Sequence, residues 1–404
     1  MATAAAWLPV SGAGCGAGGL RGAGQPGGAR PQPGRSPASP RPLPHPVRAV
    51  WVARFHYRYP DDIRTIMRNC ARAGLNTVLW QVRGDGTVAY PSRIEPWSAE
   101  YGHRNPGFDP LAIAVQEAHR QGLRIEAWVN VLPGWRGPAP PPISNQLWHT
   151  HPDWFLCDAA GRRQPLGDYY AILNPCWPEV RRYIVSLIEE IAANYDVDGV
   201  HLDYVRYAWD TTPGARALYP RDPQTLRLYR AQTGRHPDDA PAAWDSWRAQ
   251  QLTRLVADIR AMLGRRRPGA TLTAAVWSDP QRGYADYLQD AGGWLRHGLV
   301  DALLPMAYTA EPDAFERYIG AYQALAPRGR VIPGVGIYLH QTPGQIAWQL
   351  ERCRIWGGDF ALFSYDSLRA TAGDRTTGGQ ARIDPARQAA RRMRWEVVRS
   401  FTSE

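Results

Sequence analysis

Four carboxylates stand at or just beyond the ends of short apolar runs: Asp203, Asp279, Glu311 and Asp366. Two carboxyl groups facing one cleft can cleave an acetal. One protonates the leaving oxygen, and the other acts as nucleophile or base. Their separation is about 5–5.5 Å in retaining hydrolysis and about 6.5–9.5 Å in inverting hydrolysis. Asp203 is the expected nucleophile or base, because it ends the run Gly199-Val-His-Leu-Asp203 beside Tyr204 and Arg206. Glu311 ranks first as the acid, followed by Asp279 and Asp366. Arg83 and Arg206 are expected to hold Asp203 in its charged form, since a nearby Arg commonly lowers a carboxyl pKa by about 1–3.

A second group of residues suits recognition. Glu95, Glu126, Asn130 and His201 offer hydrogen bonds, and Trp97, Trp128, Tyr204, Trp277 and Tyr308 offer flat rings. Seventeen Trp in 404 residues is far above ordinary use, and many sit in loops. Rings stack on the apolar face of a sugar while carboxylates and amides bond its hydroxyls, so the expected substrate is a glycan.

Eight runs must position these groups: 49–54, 77–83, 124–130, 199–204, 271–277, 302–307, 330–335 and 360–364. Helical patterns lie between them, near 61–73, 109–121, 179–194, 241–264, 284–296, 313–325 and 342–356. Eight alternating units predict one α/β fold, a (β/α)8 barrel, whose reactive face is the carboxyl end of the sheet. Long connections follow the third and fourth strands. Residues two apart on a strand share a face. Ile125, Ala127 and Val129 then turn to the helices, while Glu126, Trp128 and Asn130 turn inward. By the same parity His201 and Asp203 point inward, as do Gln81 and Arg83. The expectation is one pocket shared by Asp203, Arg83, Glu126 and Asn130.

Composition narrows the function classes. All 47 basic residues are Arg, which removes Lys Schiff-base chemistry and Walker-type phosphate loops. The net charge of +10 is concentrated at the ends: +5 in residues 1–50 and +3 in 381–404, leaving +2 between. A nucleic-acid enzyme concentrates basic charge on its folded body, so no nucleic-acid partner is expected. Five Cys with no C-x-x-C predict neither a zinc site nor a disulfide scaffold. His56 stands alone where metal-dependent barrels often carry His-x-His, and neither metal nor cofactor is required. No run of eighteen apolar residues exists to span a membrane. Residues 1–47, with ten Gly and nine Pro, read as a disordered leader that makes a poor signal peptide. Residues 48–370 read as the barrel and 371–404 as a basic C-terminal extension.

Several segments resemble the glycosyl-hydrolase-like 10 family. They are Arg48-Ala-Val-Trp-Val, Asn76-Thr-Val-Leu-Trp-Gln-Val-Arg-Gly-Asp-Gly, Tyr90-Pro-Ser, Ile94-Glu-Pro-Trp-Ser98, Gly107-Phe-Asp-Pro-Leu111, Glu126-Ala-Trp-Val-Asn130, Leu173-Asn-Pro175 and Asp198-Gly-Val-His-Leu-Asp-Tyr-Val-Arg-Tyr207. The most specific is the last. The resemblance implies a (β/α)8 barrel acting on glycans, with an essential Asp at the end of strand four, where Asp203 stands. The sequence departs from the family at strand three, where Glu126 precedes Ala-Trp. The alternative expectation is a glycan-binding barrel without hydrolysis.

Overall fold

In the computed structural model, residues 39–207, 215–325, 329–374 and 384–404 are described. Eleven strands occur among them: β1 (Arg48–Val52), β2 (Thr77–Arg83), β3 (Arg124–Asn130), β4 (Pro133–Gly137), β5 (Gly167–Ile172), β6 (Gly199–Asp203), β7 (Thr271–Val276), β8 (Ala302–Pro305), β9 (Arg330–Val331), β10 (Gly334–Val335) and β11 (Phe360–Leu362). Nine form one parallel sheet in the order β10-β11-β1-β2-β3-β6-β7-β8-β9, and β4 pairs with β5 in an antiparallel hairpin.

The two edges of the large sheet, β9 and β10, are halves of one six-residue segment. Ile332 donates its N–H to Leu303 on one side, and Pro333 accepts from Ala361 on the other. The sheet therefore closes on itself, and the eight expected strands are present. Proline has no N–H to offer, so the ladder is interrupted where β9 passes into β10.

Alternation along the strands builds two apolar layers. Val78, Trp80, Val82, Ile125, Ala127, Val129, Val200 and Leu202 face the helices. Ala49, Trp51, Leu79, Trp128, Ala275, Leu304, Ile332 and Ala361 fill the inside. One strand breaks the alternation. Gln81 is level with Trp128, but Arg83 is level with Val129, so a bulge at the end of β2 slips the register by one.

Nine of the described α-helices open on proline: Pro60, Pro110, Pro178, Pro223, Pro241, Pro280, Pro312, Pro343 and Pro385. The ring fixes φ near the helical value, and the missing N–H would have had no partner in the first turn. The helix expected near 284–296 is two, Pro280–Tyr287 and Ala291–Arg296. Leu288 stands between them at φ +57, and Asp290 caps the second.

Two expectations about the ends change. Residues 1–38 lie outside the described residues, but the segment read as leader is bonded from Arg41 onward. The Arg41 N–H donates to Asp198 at 2.8 Å, its guanidinium to the Leu123 carbonyl at 2.9 Å, and the Val47 N–H to Asp359 at 2.6 Å. Low periodicity hid a stretch whose backbone donors find carboxylates on the barrel. At the other end, helix Pro385–Ser403 buries Trp395 and Val398 in the outer apolar layer. Arg369 lies over the Trp395 ring at 3.8 Å. Burying a Trp face is worth several kcal/mol, so Trp395→Ala should lower unfolding free energy by about 3–5 kcal/mol. Denaturant melts would show this as an earlier midpoint; an unchanged midpoint would mean that the helix is not part of the cooperative unit.

Candidate active site

Asp203 is the last residue of β6 and lies level with Asn130 at the end of β3. The Val131 N–H donates to its carbonyl at 2.8 Å, which ties the two strand ends. Asp203 is buried, 6% exposed. Its Oδ1 accepts from the Tyr204 N–H at 2.6 Å and from Arg206 Nη1 at 3.3 Å. Among the described residues no bond falls on Oδ2. Tyr204 adopts φ +55, a left-handed turn that bulky residues seldom make. Its ring packs edge-on against Tyr170 at 4.9 Å, and the Arg206 guanidinium covers it at 4.0 Å. The Arg206 guanidinium is also 5.9 Å from the Trp277 ring. Tyr308 follows the end of β8 and stacks on Phe363 at 4.9 Å, and burial, and after it the charge of Asp203, push its hydroxyl well above its usual range.

Below Asp203 the barrel interior holds a polar column. Trp51 Nε1 donates to His201 Nε2 at 3.0 Å, so His201 carries its proton on Nδ1 and donates to Thr273 at 2.8 Å. Thr273 donates in turn to Glu126, which also receives Thr271 and Arg124. Burial pushes His201 down to about 4, against the opposing charge of Asp203. The imidazole is therefore neutral and fully used.

Two polar atoms near Asp203 are not used. Asn130 Nδ2 donates to the Gly84 carbonyl at 3.2 Å and to the Tyr170 hydroxyl at 3.4 Å, but Asn130 Oδ1 is buried without a partner. Trp128 Nε1 is likewise buried without a partner. Native proteins rarely leave buried donors and acceptors unpaired, so a free acceptor and a free donor beside a free carboxylate oxygen mark a place for a polar ligand.

Asp203, Tyr204, Arg206, Asn130, Trp128, Trp277 and Tyr308 thus gather at the carboxyl end of the sheet. The others go elsewhere. Arg83 was expected inward, but the bulge turns it to the helix side, where Glu95 receives it at 2.7 Å and also accepts from Tyr183 at 2.9 Å. Arg83 therefore does not face Asp203, and Glu95 is the partner of Arg83. Glu126 lies deep in the barrel against Arg124, not at the rim and not against Arg83. His201 belongs to the same buried column. Trp97 packs edge-on against Tyr101 at 5.6 Å in the loop after β2. Asp279 caps helix Pro280–Tyr287 through the N–H groups of Gln281 and Arg282. Asp366 accepts from Ser364 and lies 3.5 Å from His56 and 3.4 Å from Arg387. Glu311 is exposed, immediately before helix Pro312–Leu325 and three residues after Tyr308.

Sequence reasoning passed over a charged group at the ends of β1 and β2. Arg54 lies 3.4 Å from Asp85 and 3.2 Å from Glu100, and these two carboxylates hold its guanidinium charged against burial. The available signal was Asp85 between two glycines directly after a strand. Tyr170 comes from the β4–β5 hairpin, whose strands were read as part of one long loop.

Residues 46–349 match the family model described as Glycosyl hydrolase-like 10. The chain is 28% identical over 372 residues to "Glycosyl hydrolase DigH" of Escherichia coli K12, covering 78% of this chain and 79% of that protein. It is 28% identical over 306 residues to "Glycosyl hydrolase YngK" of Bacillus subtilis 168, covering 65% and 54%. Among solved structures, the PgaB (BpsB) glycoside hydrolase domain from Bordetella bronchiseptica superposes with a TM-score of 0.59 at 17% identity. That likeness covers 79% of this chain and 94% of the domain. The endo-β-1,4-mannanase from Thermotoga petrophila gives a TM-score of 0.56 at 11% identity, covering 90% and 77%. At these identities the two structures support the barrel fold alone.

The column makes stability depend on pH. His201 is held neutral down to about pH 4, whereas in the unfolded chain it takes up a proton near pH 6.5. Stability from this group is complete above pH 6.5 and is lost as pH falls toward 4, by about 3 kcal/mol in total. His201→Gln has no such proton to take up. The stability gap between wild type and His201→Gln should therefore narrow by about that amount between pH 7.5 and 4. A constant gap in denaturant melts would show that His201 is not held neutral.

Proposed function

The chain belongs to the glycosyl hydrolase-like 10 family, and from that premise we propose that it hydrolyses glycosidic bonds of a polysaccharide or cell-wall glycan, with Asp203 as nucleophile or base. The observation that carries this reading is the carboxylate itself. Oδ1 is held by Tyr204 N–H and Arg206, which fixes the group, and Oδ2 is left for the reaction. Asn130 Oδ1 and Trp128 Nε1 supply the acceptor and donor that a sugar hydroxyl needs. Tyr204, Trp277 and Tyr308 supply rings for its apolar face.

In this reading Glu311 is the general acid. Of the three acids nominated from sequence, it forms no ion pair or helix cap among the described residues. Asp279 is spent on a helix cap, and Asp366 is tied to Ser364 and Arg387. The leaving oxygen takes the Glu311 proton while Asp203 Oδ2 attacks the anomeric carbon or deprotonates the attacking water. No cofactor enters these steps.

A glycan-binding barrel without hydrolysis is the second reading. It is favoured by the exposure of Glu311, whose side chain has no bond or ion pair drawing it toward Asp203 among the described residues. Purified protein would be screened against peptidoglycan glycan strands and common α- and β-glucans, with products read by mass spectrometry. Asp203→Asn should lose about 10²- to 10⁴-fold in turnover, because the amide can neither attack nor take a proton. It should still bind the glycan, since the amide keeps an acceptor oxygen in the same place. Wild-type binding with no product would favour the second reading. Cleavage by Asp203→Asn at the wild-type rate would end the assignment of Asp203.

A further inference from the structure

The geometry points to a second sugar subsite beside Asp203, at the carboxyl ends of β1 and β2, built on Arg54, Asp85 and Glu100 and taking a hydroxyl-rich pyranose ring of the same glycan. This rests on the glycan reading above and adds where the chain of sugars runs.

Asp85 is held in place from three sides. A Cβ on Gly84 would lie 2.4 Å from the Arg54 guanidinium carbon. Gly86 has φ +70, and a Cβ there would lie 2.4 Å from the Gly134 carbonyl oxygen. At Gly86 the positive φ and the backbone neighbour require glycine, and at Gly84 a side chain would displace the Arg54 guanidinium. Gln146 Nε2 donates to the Asp85 carbonyl at 3.2 Å. The side chain is directed as well: Oδ1 accepts from Thr87 at 2.8 Å, and Oδ2 lies 3.4 Å from Arg54 Nη2.

The cluster holds an unused donor, Arg54 Nε, as well as an unused acceptor. Arg54 faces two carboxylates, and the Glu100 Oε2 atom is buried without a partner. The side chains of Asp85 and Glu100 are each 13% exposed, enough to meet a ligand from the cleft. A purely structural ion pair needs one carboxylate and leaves no orphan acceptor. Sugar hydroxyls supply the missing donors, and Arg54 can donate to a ring or hydroxyl oxygen.

The cluster and Asp203 share their wall. Asn130, 1% exposed, lies between them: it is level with Asp203 on β6, it donates to the Gly84 carbonyl, and its Oδ1 is free. The Tyr170 hydroxyl accepts from Asn130 at 3.4 Å, while its ring packs on Tyr204. β2 and β6 both flank β3, so the strand ends that lead to Asp85 and Asp203 stand two strand spacings apart, roughly 10 Å. A glycan running along this rim from Asp203 would reach the cluster.

The test is binding in the Asp203→Asn background, where turnover does not interfere. Soluble peptidoglycan glycan-strand fragments, cello-oligosaccharides and malto-oligosaccharides are titrated calorimetrically. Asp85→Asn keeps the shape and the Thr87 bond but removes the charge. It should weaken the best-bound probe about 10- to 100-fold, the usual range for a hydrogen bond to a charged group. Glu100→Gln should weaken it in the same direction while leaving the Arg54–Asp85 pair intact. If Asp85→Asn does not fold, Glu100→Gln decides alone. Unchanged affinity in a folded variant overturns the subsite and leaves the glycan reading standing. No binding of any probe by wild type or by Asp203→Asn overturns the glycan reading, and the subsite with it.

Discussion

Glu126 is a charged carboxylate with no exposure, in the middle of a closed barrel. Such a group is tolerated only when partners satisfy it, because an isolated buried charge costs several kcal/mol. Arg124 supplies the opposite charge, and Thr271 and Thr273 supply hydroxyls. The consequence extends upward. Thr273 spends its proton on Glu126, so it accepts from His201 Nδ1, and His201 Nε2 is left to accept from Trp51. One buried charge thereby fixes the tautomer of His201 and the place of Trp51. Trp51 in turn meets Tyr308 and Phe363 edge-on at 6.4 and 5.9 Å. The floor of the cleft is rigid because the column beneath it has no alternative pairing.

The contrast with the rim gives the site its meaning. In the column, the polar atoms of Glu126, Thr273 and His201 are used. One step higher, Asn130 Oδ1 is buried and unused and Asp203 presents an oxygen without a bond, while Trp128 Nε1, level with His201, is also buried and unused. Both layers consist of inward-facing residues on the same strands, so parity alone does not separate them. What separates them is pairing. A satisfied polar group contributes to the fold, and an unsatisfied one beside an open cleft is available to a ligand.

How much of this was legible in the sequence follows from the same physics. The inward sets Glu126-Trp128-Asn130 and His201-Asp203 were readable because β3 and β6 run without a bulge. Arg83 was not readable, since a single extra residue in β2 reverses every side chain beyond it. The ion pair of Glu126 was not legible either: Arg124 lies two residues away on the same strand, a pairing that only an enclosed interior makes favourable. Asp279 and Asp366 follow β7 and β11; the use of Asp279 as a helix cap was legible in Asp279-Pro280, a cap followed by a first-turn proline, whereas the Ser364 hydroxyl bond of Asp366 leaves no trace in spacing. Asp85 and Tyr170 were missed because one follows a strand in a short Gly-flanked turn and the other sits on a hairpin inside a segment read as loop. Residues 41–47 show the reverse error, since backbone anchoring to Asp198 and Asp359 needs no hydrophobic period.

The turn after Asp203 links the rigid column to the open rim. A chain leaving β6 in extended form would carry Arg206 away from the carboxylate. Tyr204 instead takes a left-handed conformation at φ +55, which for a bulky residue costs of order 1–3 kcal/mol and persists only when surrounding contacts enforce it. Those contacts are present: Asp203 Oδ1 receives the Tyr204 N–H, Tyr170 packs against the ring from the β4–β5 hairpin, and Arg206 covers it at 4.0 Å. The turn brings Arg206 back to Asp203 three residues later, so one short segment supplies the carboxylate, its cation and an aromatic wall. Tyr170 is therefore common to two features, the strained turn and the Asn130 amide. That is why a hairpin outside the barrel sheet belongs to the site as much as the strands do.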